Sequence, residues 1–317
     1  MENIQFIPDE DLHVVSVPFS ALSQTQHWGM GLAAIQNVWT ITKGEGIRVA
    51  ILDTGISDHT DLITAWKKDN AINCSSDPTW EDKVSGHGTH VAGIIAGSDN
   101  DFGVVGVAPN CEIIPIKVLD DSGAGNYEAI EKGLRNAINM NVDIINMSLG
   151  SSVTPPESLH NLIREAVAQG IVIVAAAGND SHAVNYPARY DEVIAVAALD
   201  QSGCLATFTS KDETIDIVAP GVDIYSTYLR NEYCKMSGTS QASPFVAGIC
   251  ALIKSALKKQ NLLPEFGNQF CQADMMVALR NISSLETAHV QPGEEKNWGP
   301  GIPKLANVDW QNILVKK

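Results

Sequence analysis

A serine becomes a nucleophile when an imidazole can take its proton and a carboxylate orients that imidazole. Three separated positions offer those groups. Asp53 ends the apolar run 47–52 in Leu52-Asp53-Thr54-Gly55, and His87 sits in Ser85-Gly86-His87-Gly88-Thr89-His90-Val91-Ala92-Gly93. Ser240 lies in Ser237-Gly238-Thr239-Ser240-Gln241-Ala242-Ser243-Pro244, where Gly238, Thr239 and Ala242 leave room for a substrate carbonyl. Asn179, after Ala176-Ala177-Gly178, could donate its amide to an oxyanion, with the Ser240 backbone N–H as second donor. A helix starting at Ser240 would add a favourable dipole. Each residue alone has a plainer reading. An Asp at a strand end is often a turn former or cap, an Asn after Gly a loop residue, and a Ser among small residues a helix cap. His87 and His90, three apart, could share a metal, but no H-E-x-x-H pattern accompanies them, and His90 reads as structural. Taken together and in this order, the four point to acyl chemistry.

Such groups need a scaffold that brings them to one place. Short β-branched runs at 47–52, 113–118, 142–147, 171–176 and 193–197 alternate with helical patterns, which is the βαβ signature. Nearly continuous apolar runs suit central parallel strands covered on both faces. Tyr127, Ile130, Leu134, Ala137 and Ile138 share one helical face; Leu159, Leu162, Ile163, Ala166 and Val167 share another, with Ser158 as its expected cap and Gly170 as its stop. The expectation is an α/β fold: a doubly wound, mainly parallel sheet over about 45–255, with helices on both faces. Ligands of such sheets bind beyond the carboxyl ends of the strands, where Asp53, Ser148 and Asn179 fall. Residues 260–317 should add helical and loop pieces packed on that domain.

The chain has 317 residues and a formal net charge of −16, with no basic tract. That excludes a phosphate-backbone partner, which clustered Lys and Arg must neutralise. Its length suits one α/β domain as well as two smaller ones. No apolar run reaches membrane-spanning length, and Glu2, Asp9, Glu10 and Asp11 precede no signal-like segment, so a cytoplasmic protein without a membrane partner is expected. The six cysteines form no C-x-x-C pair, which suits mostly buried reduced thiols. Only one D-T-G occurs, against an aspartic protease. Neither a phosphate-binding glycine loop nor a G-x-S-x-G elbow is present.

In order and spacing, Leu52-Asp53-Thr54-Gly55, Gly86 to Gly93, Ala176 to Asn179 and Gly238 to Pro244 resemble the four signature segments of the subtilisin family of serine proteases. The likeness covers roughly 23–255, and Gly299-Pro300-Gly301 is similar to the family's closing segment. It implies a single catalytic domain at 23–317 and a serine endopeptidase of broad specificity acting on peptides or proteins. Asp53, His87 and Ser240 would be its triad, and Asn179 its oxyanion donor. Ser148, Leu149 and Gly150 are similar to the strand that pairs with substrate backbone, and Ala176, Ala177 and Gly178 to the facing pocket wall. Gly125 and Tyr127 resemble the second substrate strand and its outer pocket. Asn185 and Asp180 fall where members vary specificity. A structural Ca2+ is implied by Gln24, Asp61 and Asn100 as side-chain ligands, with carbonyls from Ser98, Phe102 and Val104.

Phe6-Ile7-Pro8 resembles an apolar-Pro motif in the N-terminal extensions of intracellular members, so residues 1–22 are expected to be a removable inhibitor; an acidic tail is the alternative. Those members also suggest a homodimer. Gln241 replaces the usual Met after the nucleophile, Phe245 a common His, and Ser237 a frequent Asn; none of these removes a reacting group. Two other outcomes stay open: a silent peptide-binding protein, or a peptide ligase or cyclase that passes the acyl group to an amine.

Overall fold

Alternation along single strands divides the core. In Arg48–Asp53, Val49 and Ile51 join one apolar cluster and Ala50 and Leu52 the other, as side chains pointing to opposite faces must. The computed structural model describes residues 3–6, 13–15, 23–263 and 270–316, the first two stretches as backbone only. Strands β1 (Asn3–Phe6) and β2 (His13–Val15) precede one-turn helices α1 (Gly29–Leu32) and α2 (Gln36–Trp39). Then come β3 (Arg48–Asp53), β4 (Ile72–Asn73), α3 (His87–Ala96), β5 (Glu112–Lys117), β6 (Ala124–Asn126) and α4 (Tyr127–Asn139). They are followed by β7 (Ile144–Met147), β8 (Leu149–Gly150), α5 (Glu157–Ala168), β9 (Val172–Ala176), β10 (Ile194–Leu199) and β11 (Ile217–Pro220). The antiparallel pair β12 (Ile224–Thr227) and β13 (Tyr233–Met236) leads to α6 (Thr239–Lys259), then α7 (Gln272–Ile282), β14 (Ser283–Ser284) and β15 (Ile302–Pro303).

Seven strands form one sheet in the order β11-β10-β9-β7-β3-β5-β4, every pair parallel. Helices α3 and α6 pack on one face, α4 and α5 on the other. This is the doubly wound α/β architecture expected. Strands running in one direction put every carboxyl end on one edge, so Asp53, Ser148 and Gly178 emerge side by side. The antiparallel pairs lie in three small separate sheets.

One detail differs from expectation. Ser158 does not cap α5: the helix starts at Glu157 after Pro156, and Ser158 Oγ instead donates to Glu131 on α4. The N-terminal segment contributes two strands to the rest of the fold. β1 lies between β6 and β8, antiparallel to both, and β2 pairs with β13. All six cysteines are free thiols; Cys111, Cys234 and Cys250 are buried, the other three half-buried. Among the described residues, no helix is long and apolar enough to cross a membrane.

Candidate active site

Strand β3 delivers Asp53 to the sheet edge and α3 begins with His87, whose Nδ1 lies 2.7 Å from Asp53 Oδ1, both side chains being buried. A carboxylate at Nδ1 holds the proton there and leaves Nε2 as the basic nitrogen. The approach of α3 depends on glycine. A Cβ on Gly88 would overlap the Gly55 carbonyl and lie 3.1 Å from Asp53 Oδ1, while the Gly88 N–H donates to Thr54 Oγ1 at 2.9 Å.

The start of α3 is also held by a residue with no motif of its own. Asp82 accepts from the Gly86 N–H at 2.9 Å and from the Thr89 hydroxyl at 3.0 Å. Burial raises its carboxyl to about 6, despite those donors. His90, on the next turn, is within 3.0 Å of the Ile224 carbonyl through Nε2, and burial lowers its pKa to about 3. It is a neutral tie between α3 and β12.

Ser240, the second residue of α6, is fully buried, and its Oγ donates to the Ser148 carbonyl at 3.3 Å. The helix explains a second contact. Pro244 has no N–H for the carbonyl four residues back, which is that of Ser240. Ser148 Oγ donates to this carbonyl at 2.8 Å, and Asn146 Nδ2 donates to Ser148 Oγ at 3.0 Å. Ser243 Oγ closes the circuit on Asn146 Oδ1 at 2.7 Å. The main chain at Ser240 is thus tied to the end of β7. Nothing in the sequence patterns announced this role for the Ser148 side chain.

Asn179 follows Gly178, which has φ +123 and whose Cβ would fall on Asn185 and Ser210. The Thr239 N–H and hydroxyl both donate to Asn179 Oδ1 at 2.9 Å. With the carbonyl end so engaged, the orientation of the amide is decided, and Nδ2 is the end that faces away from Thr239. Thr239 Oγ1 also accepts from the Gly178 N–H at 3.1 Å.

Two walls flank Ser240. Leu149 and Gly150 form β8; Ala176 ends β9, and Ala177 and Gly178 follow it. Asn185, buried, joins the second wall through its N–H to the Ala177 carbonyl at 2.8 Å, and Tyr186 pairs with Ser151 of the first. Asp180 accepts from Ser210 Oγ. Across the cleft Gly125 lies in β6, and Tyr127 opens α4 with its hydroxyl donating to the Val153 carbonyl at 2.7 Å.

The subtilase family's profile matches residues 44–281. Among curated proteins, the chain is 47% identical over 236 residues to a thermostable alkaline protease of Halalkalibacterium halodurans, covering 74% of this chain and 64% of that one. It is 46% identical over 219 residues to subtilisin DY of Bacillus licheniformis, covering 67% and 78%. An intracellular serine protease of Paenibacillus polymyxa is 40% identical over 260 residues, covering 78% and 79%. The chain belongs to the subtilase family. As a subtilase it is a serine endopeptidase of the Asp–His–Ser type.

Subtilisins generally bind structural calcium, and among the residues expected to hold it here Asp61 and Asn100 are in direct contact. Asp61 is fully buried, and its oxygens face Asn100 Nδ2 at 2.8 Å, the Val104 N–H at 2.6 Å and the Tyr233 hydroxyl at 3.3 Å. Gln24 Nε2 donates to the Ser98 carbonyl at 2.8 Å, and the Phe102 N–H to Asn100 Oδ1 at 3.3 Å. Burial raises the Asp61 carboxyl to about 6. Two amides therefore turn their NH2 ends toward oxygens, Gln24 toward the Ser98 carbonyl and Asn100 toward Asp61. Reversing each amide would present oxygen instead, so the donor set, all oxygen with one carboxylate, fits Ca2+.

Proposed function

We propose that Ser240 attacks the scissile carbonyl, His87 acts as general base and then acid, and Asp53 fixes the imidazole tautomer. Asn179 Nδ2 and the Ser240 N–H stabilise the oxyanion. The observation that carries this reading is the buried 2.7 Å His87–Asp53 contact at the same sheet edge as Ser240. To be deprotonated, the Ser240 hydroxyl exchanges the Ser148 carbonyl for His87 Nε2. The substrate lies as an extended strand between Gly125 on one side and Ser148, Leu149 and Gly150 on the other. Its side chain before the cut enters the space between 148–150 and 176–178, with Asn185 alongside. Main-chain pairing tolerates many side chains, which supports broad specificity.

A serine-directed phosphonate should label the parent at Ser240, and Ser240→Ala should lose both label and peptidase activity. Asn179→Ala should lower turnover about 10²–10³-fold with the fold intact, a figure taken from subtilisin, a member of this family. Peptide cleavage by Ser240→Ala at the parent rate would sink the assignment. Product masses showing transfer to amines in place of hydrolysis would make the protein a ligase.

Residues 1–22 act in this reading as a removable inhibitor. Its support is the antiparallel register Ile4↔Gly125 and Gln5↔Gly150, which occupies the cleft's two pairing edges. A second support is the pairing of β2 with β13, the strand that leads into Ser240. Of the Phe6-Ile7-Pro8 motif, Phe6 ends β1, and Ile7 and Pro8 lie outside the described residues.

Gln24, Asp61 and Asn100, with the carbonyls of Ser98, Phe102 and Val104, would hold Ca2+ and tie the N-terminal side of the 23–317 domain to the 98–104 loop. The six free thiols, the acidic composition and the likeness to an intracellular serine protease support a cytoplasmic location.

A further inference from the structure

Lys117, at the end of β5 and paired in register with Asp53, is fully buried. A buried ammonium must be matched by acceptors, because leaving the charge unpaired in the interior is very costly. Its three acceptors come from three different segments. Nζ is 2.7 Å from the Thr54 carbonyl, directly after the triad's acid. It is 2.9 Å from Asp121, in the turn that leads into β6, and 3.1 Å from Asp77, in the loop before α3. Asp77 also accepts from the Asp121 N–H at 2.8 Å, so the two loops are joined at the cation.

The turn is stiff within itself. Asp120 N–H donates to the Ala124 carbonyl at 2.7 Å, and Asp120 Oδ1 accepts from the N–H groups of Ser122 and Ala124. The hairpin 119–126 therefore behaves as one piece; the Leu119 N–H on the Asp53 carbonyl at 3.2 Å holds its first residue to the strand bearing Asp53, and the Lys117 contacts add the tie from its turn. A neutral side chain at 117 could fill the volume but could not hold three oxygens from separate segments.

We propose that Lys117 is a positioning residue, which sets β6 at the distance from Asp53 that an extended peptide needs to pair with β6 while its scissile carbonyl meets Ser240. This rests on the catalytic reading above. It predicts an effect that depends on substrate length: a peptide reaching β6 feels the loss of the tie, and a small acylating reagent that touches only Ser240 and the oxyanion donors does not.

The experiment compares, in the full chain, the inactivation rate by a tetrapeptidyl phosphonate with that by a small dialkyl phosphonate. Each variant's ratio is read against the parent's, so that the competition of β1 for β6, which the peptidyl reagent meets and the small one does not, enters both sides. Asp121→Asn, which keeps Asp77 on the cation, should lower the ratio about tenfold, with the small reagent's rate within about twofold of the parent. Lys117→Met should lower the ratio at least as far and also slow the small reagent, because the Thr54 tie is lost. A parent that neither reagent labels, even after residues 1–22 are removed, overturns the catalytic reading, and this one with it. A labelled parent whose Asp121→Asn variant keeps the ratio, or is slowed equally toward both reagents, overturns the positioning role alone.

Discussion

Pro244 leaves the Ser240 carbonyl with no helical partner, and Ser148 Oγ fills the gap. Ser148→Ala should therefore orphan a buried acceptor and cost about 1–3 kcal/mol in urea unfolding. Pro244→Ala returns an N–H to the helix, so the double variant should recover part of that loss; strictly additive costs would refute the account. A second prediction concerns His27, which is buried against Phe245, with neither ring nitrogen hydrogen-bonded among the described residues. Burial lowers its pKa from 6.5 to about 4. A lowered histidine contributes stability that is present above its unfolded value and is lost as pH falls from 6.5 through 4. Asp82 and Asp216, raised by burial to about 6, act in the opposite direction, so the test is a difference. His27→Leu should match the parent near pH 8 and exceed its stability by about 2 kcal/mol at pH 5. Parallel stability curves for the two proteins would remove His27 as the cause. At this scale, the proposed reacting groups were readable because their motifs are local in the chain. The partners Asp82, Thr239 and the Ser148 hydroxyl were not, because a single Asp, Thr or Ser carries no spacing signal.

Among the elements, β9 is central to the site, since Ala177, Gly178 and Asn179 continue from its end. Its pairing with β10 begins at Val174, one residue late for Ile173. Gln272, the first residue of α7, supplies the missing rung: Ile173 N–H donates to Gln272 Oε1 at 2.9 Å, and Gln272 Nε2 donates to the Ile173 carbonyl at 3.1 Å. Replacing it with Leu leaves two buried main-chain groups without those partners. Gln272→Leu should lower stability by about 1–3 kcal/mol while leaving kcat unchanged, because the far end of β9 stays in register. A large fall in kcat at unchanged stability would contradict that division. The strands and long helices of the sheet were legible as apolar runs and helical faces. The start of α5 was misjudged because Pro156 can precede a helix as well as Ser158 can cap one, and Ser158 found Glu131 instead.

For the whole molecule, the proposed roles of the N-terminal segment and of the Asp61 loop each make a prediction. A chain starting near Ser23 should hydrolyse peptides at least about tenfold faster than the full chain, because it no longer competes with a tethered strand at millimolar effective concentration. Chelation should lower the melting temperature of both forms, by an amount corresponding to about 3 kcal/mol if calcium stood near 100-fold above its dissociation constant. Equal activity of the two forms would remove the inhibitory role, and unchanged melting would remove the metal. What the amino-acid order determined by itself was the class of chemistry and the α/β sheet, since both are written in short-range patterns: motifs of a few residues and periods of two or 3.6. Only the tertiary structure decided that β1 lies between β6 and β8, that Ser148 completes the helix bearing Ser240, and that Lys117 gathers Thr54, Asp77 and Asp121. These are contacts between groups far apart in the chain, and satisfying a buried charge or carbonyl depends on which oxygens and donors the folded chain brings within about 3 Å.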